Sequence, residues 1–186
     1  MTEVRLATVE EVPALALLLA DAFAEDAIMR WTVPGEDRPE RVRAFFEDFD
    51  RYAAERGWLW TADGGSGVAL WVPPGTEAEF EELTFAVEDA SPEYDSFWAW
   101  AEGARPAERH WYLDHLAVEA GARGSGVGVA LVEHGLALAR VGGEPAFLCT
   151  SRPDNVGFYE RRGFAVERAE EAPGGGPHVR FMRADP

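Results

Sequence analysis

Positive charge is scarce in this sequence of 186 residues: Lys and Arg number 17 against 34 Asp and Glu, a formal net charge of -17. Such a field repels nucleic acid and anionic membranes at long range and attracts cations. Cysteine is nearly absent, and the single Cys149 excludes both an internal disulfide framework and a cysteine-based zinc site. Long apolar runs are missing too. Ala14 to Ala20 is far shorter than the roughly 20 residues a membrane span needs. Met1-Thr2-Glu3-Val4-Arg5-Leu6 has no basic stretch leading into an apolar one, so it does not read as a secretory signal. There are no internal repeats. What remains, with 47% hydrophobic and 27% charged residues, is the profile of a soluble globular chain of one domain. The expectation is a cytoplasmic protein without metal, nucleic-acid or membrane partners, as a monomer or homodimer.

The chain alternates loosely between strand and helix signals, which points to a mixed α/β layer protein. Val4 to Thr8 reads as a strand. Thr8 opens a capping box with Glu11, and Leu15, Leu18, Leu19 and Phe23 come after it at helical spacing. Trp31 to Asp37, with Pro34-Gly35, reads as a loop. Val42, Phe45, Phe46 and Phe49 mark a second helix ending near Gly57. Trp58 to Ala62 and Val68 to Val72 flank Asp63-Gly64-Gly65-Ser66-Gly67, a hairpin signature. Residues 76 to 105 read as helix broken near Ser91-Pro92. His110 to Glu119 is the longest strand signal, succeeded by a glycine-rich loop and an amphipathic helix from Val127 to Val141. Ala146 to Thr150 is a buried strand, and Asn155 to Arg162 a short helix closed by Gly163. Phe164 to Ala169 and Val179 to Arg183 flank a Gly/Pro turn.

The loop Arg123-Gly124-Ser125-Gly126-Val127-Gly128 carries the chemistry. Its glycines let backbone N–H groups approach a ligand, the adjoining helix N-terminus adds positive potential, and Arg123 adds a full charge. On those grounds it is a pyrophosphate cradle. A dinucleotide fingerprint requires glycine where Val129 stands, and a Walker A loop requires a lysine the segment lacks.

Arg123, Gly126 and Gly128 after the Leu116-Ala117-Val118 strand do match Arg-x-x-Gly-x-Gly, which resembles the acetyl-CoA loop of the GNAT superfamily. Asn155-Val156-Gly157-Phe158-Tyr159-Glu160-Arg161-Arg162-Gly163-Phe164 is similar to that family's second motif. From Trp111 to Arg183 the motifs resemble puromycin N-acetyltransferase-like members most; the first half resembles them poorly. The resemblance implies a GNAT fold: a central, mostly antiparallel twisted sheet of six to seven strands, splayed after the fourth and flanked by helices. Residues 1–186 would form one domain, with 1–109 mainly on the acceptor side and 110–186 binding acetyl-CoA.

It further implies direct attack of a primary amine on the acetyl thioester of acetyl-CoA. Backbone near Leu116, Ala117 and Val118 would meet the thioester carbonyl and the pantetheine arm. Arg123, Gly124, Ser125, Gly126, Val127 and Gly128 would hold the pyrophosphate, with Asn155 and Phe158 completing the donor site. Asn155 also suits a helix N-cap. Tyr159 is the candidate acid for the departing sulfur, against an alternative role in packing. Asp114, two residues from Tyr112 and so on the same strand face, is the candidate base; His115 is expected on the opposite face as a packed histidine. Glu25 and Asp26 lie just past the first helix, where acceptor sites of the family open, and equally suit a solvated helix end. Cys149 replaces a carboxylate common in the puromycin-type relatives and reads as a buried thiol. Seven tryptophans are mostly core, with a subset suited to an aromatic pocket for a cation. The expected acceptor is a small cationic amine. A protein N-terminus or lysine is the alternative acceptor, and a non-catalytic acyl-CoA sensor the alternative function.

Overall fold

A computed structural model describes residues 2–76, 79, 87 and 89–186. Thr8 donates its backbone N–H to Glu11 Oε2 at 2.9 Å, and the capping box opens a short 3-10 turn. Helix α1 (Val12–Phe23) continues from it. It buries Val12, Leu15, Ala16, Leu19 and Ala20, one stripe at helical spacing. Between Asp26 and Val33 lies α2 (Ala27–Thr32), so Trp31 and Thr32 are helical and not loop as the proline-glycine signal suggested. The reason is Asp26. Its Oδ1 accepts the N–H groups of Ile28 at 2.9 Å and Met29 at 3.1 Å, starting a helix too short for its periodicity to be read. Helix α3 (Arg38–Glu55) buries Val42, Phe46, Phe49, Asp50 and Ala53. Asp50 is the one charged residue in that stripe.

The strands are β1 (Val4–Leu6), β2 (Leu59–Ala62), β3 (Gly67–Val72), β4 (Trp111–Val118), β5 (Ala146–Thr150), β6 (Ala165–Glu171) and β7 (His178–Ala184). They form one sheet in the order β1-β2-β3-β4-β5-β7-β6. The pairing is antiparallel except between β4 and β5, which run parallel. Helix α4 (Glu93–Glu102) lies in the region expected to be broken helix; residues 77, 78, 80–86 and 88 of that expectation lie outside the described residues. Helices α5 (Val127–Gly142) and α6 (Pro153–Glu160) complete the set. Helix α6 starts two residues before the expected Asn155, because Pro153 suits the first turn and Arg152 takes the cap position.

The two sheet faces bury separate cores. One joins α1, α2, α3 and α4 to Leu59, Val68, Leu70, Tyr112 and Phe147. The other joins α5 and α6 to Ala69, Trp71, Leu113 and Leu148. Trp71 is fully buried and donates Nε1–H to the Leu131 carbonyl at 3.2 Å. Its indole lies so close to Gly135 that an added β-carbon there would meet Cε2 at 2.0 Å. Glycine is therefore required at mid-helix for α5 to reach the sheet.

Strand β4 is irregular on both of its edges. Leu70 pairs with His115 but Trp71 pairs with Leu113, so Asp114 is an extra residue, a β-bulge. On the other edge, β4 pairs with β5 only at Trp111, Tyr112 and Leu113. Beyond Leu113 the two strands have no register partners and diverge.

Gly135→Ala tests the α5–sheet contact. The substitution gains about 1 kcal/mol of helix propensity, yet a net loss of about 1–3 kcal/mol is expected from overpacking against Trp71. Urea unfolding measures the difference, and a stabilised variant would refute the contact.

Candidate active site

Where β4 and β5 part, a cavity of about 570 Å³ opens. Its walls come from both halves of the chain.

At one end, the residues after Val118 form a 3-10 turn (Ala120–Ala122) and then the glycine loop. Gly124 (φ 82°) and Gly126 (φ 99°) are left-handed, and a β-carbon on either would meet nothing within 4 Å. Conformation, not space, requires glycine there. Gly128 is the reverse case: a β-carbon would lie 3.2 Å from Val118 Cγ2 and 3.6 Å from Phe158 Cζ, narrowing the cavity. Helix α5 has no side-chain cap, so the N–H groups of its first turn remain available to an anion. Arg123 lines the mouth, with its Nε 3.5 Å from the Val118 carbonyl oxygen. Arg162 also lines the cavity, with its guanidinium 3.7 Å over the Phe158 ring. Arg152, the residue before α6, is a third cationic liner. The local positive site that an anionic ligand needs is thus present in a strongly acidic chain.

Leu116, Ala117 and Val118 line the cavity on the free edge of β4, and Asn155, Phe158 and Tyr159 line it from α6. Asn155 sits inside the first turn of α6, so the alternative reading as its N-cap is corrected. Two expected side chains do not face the cavity. Ser125 Oγ donates to the Ala122 carbonyl at 2.6 Å, and Val127 is buried against the sheet. What these two positions can offer a ligand is backbone.

The other end is acidic and aromatic. Asp26, Tyr112, Asp114, Cys149 and Ser151 line it with Phe23, Ile28, Met29 and Trp98. Asp26 is 6% exposed, and its Oδ2 accepts Ser151 Oγ–H at 2.9 Å, tying α2 to the end of β5. Glu25 turns outward instead and pairs with Arg30 at 2.6 Å. Of the seven tryptophans, Trp98 is the cavity liner among the described residues. Cys149 Sγ lies 3.9 Å from the Tyr112 hydroxyl, and burial pushes the thiol up to about 11, away from nucleophile chemistry. Burial also raises Tyr159, next helped by Cys149, which keeps its hydroxyl protonated. The Tyr159 ring packs edge-on to Phe158 and Phe164, so it is both packed and cavity-lining.

His115 is packed, as expected, between Phe46 and Phe49, but its expected face is overturned. The bulge interrupts the alternation of β4, so Asp114 and His115 meet on one face: His115 Nδ1 lies 3.0 Å from Asp114 Oδ1. On its other side Nε2 lies 3.1 Å from Asp50 Oδ1. Burial by itself would strip the imidazole of its proton, but Asp50 and then Asp114 raise it to about 10. Burial raises Asp50 as well, with His115 pulling the other way. Both shifts run toward the protonated form of the pair. Asp50, Ser151 and Arg162 were not singled out from the sequence, although Arg162 stands beside Phe158-Tyr159; His115 was read as packed, and Trp98 only as one of seven tryptophans of which a subset suited a pocket. No group of three metal-ligating side chains occurs among the described residues. No helix of the described residues is long and apolar enough to cross a membrane.

Comparison with known proteins places this geometry. Residues 20–164 match the model of the acetyltransferase (GNAT) family. A Corynebacterium glutamicum structure named histone acetyltransferase HPA2 and related acetyltransferase is 28% identical, with TM-score 0.75, covering 100% of this chain and 96% of that one. The Drosophila melanogaster polyamine N-acetyltransferase is 15% identical, with TM-score 0.71 and 100% of both chains covered. The Thermoplasma acidophilum PaiA N-acetyltransferase, solved with coenzyme A, is 14% identical, with TM-score 0.63, covering 100% and 99%.

The buried pair makes stability depend on pH. His115 rises from its ordinary 6.5 to about 10, and Asp50 also rises, so the folded chain holds more protons than the unfolded one. The His115 share of that stability is complete below pH 6.5 and is lost as pH climbs toward 10. The slope for one proton is at most about 1.4 kcal/mol per pH unit. Denaturant unfolding at pH 6, 7.5 and 9 is expected to show the decline, and Asp50→Leu to flatten it. A flat wild-type profile would contradict the pairing.

Proposed function

This chain belongs to the GNAT acetyltransferase family and is an N-acetyltransferase; on that basis we propose that it acetylates a small cationic amine, with acetyl-CoA as donor. The observation that carries the reading is one cavity with oppositely charged ends. Arg123, Arg162 and the glycine loop line it together with Asp114 and Asp26.

The donor residues suit a pyrophosphate: uncapped N–H groups at the start of α5, left-handed glycines and two guanidinium groups. Acetyl-CoA, when bound, supplies an acetyl group activated as a thioester. The free edge of β4 at Leu116, Ala117 and Val118 offers backbone groups to the pantetheine arm and the acetyl carbonyl. Asp114 takes a proton from the amine, whose nitrogen forms the new bond to the acetyl carbon as the carbon–sulfur bond breaks. Tyr159 gives its proton to the departing sulfur. Holding both reactants in one cavity supplies much of the rate.

Several features favour a small acceptor over a protein. The acceptor end is walled by Phe23 of α1, Ile28 and Met29 of α2 and Trp98 of α4. Trp98 suits a cation by its ring face. The polyamine and agmatine acetyltransferases of the same fold point the same way. The protein-acceptor reading draws on the name of the Corynebacterium relative. The likeness to puromycin N-acetyltransferase extends the candidate amines to aminonucleosides.

Thiol release from acetyl-CoA, measured with a panel of diamines, arylalkylamines, aminonucleosides and lysine peptides, tests the proposal. Every Lys/Arg position is arginine, so the chain has no lysine of its own to acetylate and the background is low. Turnover is expected with small cations. Coenzyme A binding without thiol release from any amine would leave the sensor reading in its place. Tyr159→Phe and Asp114→Asn are each expected to lower kcat by about 10²–10⁴-fold, with donor affinity changed by less than about threefold. Unchanged kcat removes the residue concerned from its role.

A further inference from the structure

Resting on the reading of Asp114 as the group that takes the amine proton, we propose that His115 and Asp50 are positioning residues that hold the Asp114 carboxylate toward the acceptor through an imidazole ring that keeps its Nδ1–H.

The three groups lie in a row that runs inward from the cavity. The Asp114 side chain is 15% exposed, His115 2% and Asp50 0%. The ring nitrogens divide the contacts, Nδ1 to Asp114 at 3.0 Å and Nε2 to Asp50 at 3.1 Å. Phe46 and Phe49, on the same helix as Asp50, flank the imidazole at 5.3 and 6.1 Å between ring centroids. The ring is thus held in place, with its side chain only 2% exposed.

Packing alone does not account for Asp50. Neither of its oxygens meets hydrogen-bond geometry with a described residue, although Oδ1 is within ion-pair distance of His115. A leucine would fill the same place between phenylalanines without the desolvation cost of a carboxylate. What a leucine cannot do is keep a proton on the imidazole. With Asp50 present, Nε2 has an acidic partner and Nδ1–H donates to Asp114. Without it, the neutral ring can carry its proton on Nε2, and its bare Nδ1 then repels the Asp114 oxygen. A partner on one ring nitrogen thus decides what the other offers.

The tyrosines and the cysteine facing the cluster do not titrate in the same range: Tyr94 of α4, Tyr112 of β4 and Cys149 of β5 are all raised by burial, Cys149 to about 11. Arg105 covers the Tyr112 ring at 4.0 Å. Asp26, beyond Cys149, is a carboxylate held by Ser151. A change in activity between pH 6 and 9 caused by altering Asp50 therefore reports on His115.

The experiment combines pH profiles of kcat with nitrogen NMR of the histidine rings. In the wild-type protein the His115 ring is expected to stay protonated on both nitrogens through pH 9. Asp50→Leu is expected to make it titrate between pH 6 and 8, and kcat to fall at least fivefold across that change with KM for the amine within twofold. The same substitution in an Asp114→Asn background is expected to have no further effect on kcat. A wild-type His115 that titrates near pH 6.5 overturns the proposal, and this measurement needs no variant to fold. So does an Asp50→Leu profile superimposable on the wild type, or an equal loss in both backgrounds. Wild-type activity in Asp114→Asn alone refutes instead the assignment of the base, which separates the two failures.

Discussion

The candidate site of this protein depends on one surplus residue in β4, the bulge that leaves Asp114 without a partner between Leu70 and Trp71 of β3. A regular strand would send Asp114 and His115 to opposite faces of the sheet. The bulge brings them together and bends the strand, and on its other edge β4 leaves β5 after Leu113. Unpaired backbone, a cavity and a carboxylate backed by a buried histidine all arise within five residues. Such irregularity needs firm support. It comes from Trp71, wedged against Gly135 of α5 on one face, and from α3 with Phe46 and Phe49 on the other.

Charge is arranged along the cavity and not merely summed over the chain. Under the proposed function a molecule of net charge -17 has to capture an anionic donor, and the means it offers are local. Oriented N–H groups and arginines act within a few ångströms, where long-range repulsion is screened by salt. At the opposite end the acidic excess is concentrated in Asp26 and Asp114, which suits the cationic acceptor proposed above. Asp26 also ties the two halves together. Its two oxygens cap α2 and hold Ser151 at the end of β5, so acceptor-side helix and donor-side strand share one carboxylate.

Much of this was legible in the chain. Strong periodicity marked α1, α3 and α5, and alternation with Gly-rich turns marked the hairpin and the last strands. The order strand, glycine loop, helix placed Arg123, Gly124, Gly126, Gly128, Asn155, Phe158 and Tyr159 around one ligand, and all of them line the cavity. Helix α2 was missed because six residues give too little periodicity and its cap is a tertiary junction. Ser125 and Val127 were assigned with the loop, but a motif reports positions and not the direction of side chains.

The donor half could be read from the chain because a strand-loop-helix phosphate site is built from residues adjacent in sequence. Its glycines and its helix start need no distant partner to take shape. The acceptor half exists only once the chain has folded. Asp50 is 64 residues from Asp114; helical spacing puts it in the apolar stripe of α3, but nothing in that local pattern says which distant side chain it meets. The face on which His115 lies was likewise beyond reach. Alternation is a rule for regular strands, and the bulge exists only because β3 and β4 pair out of step.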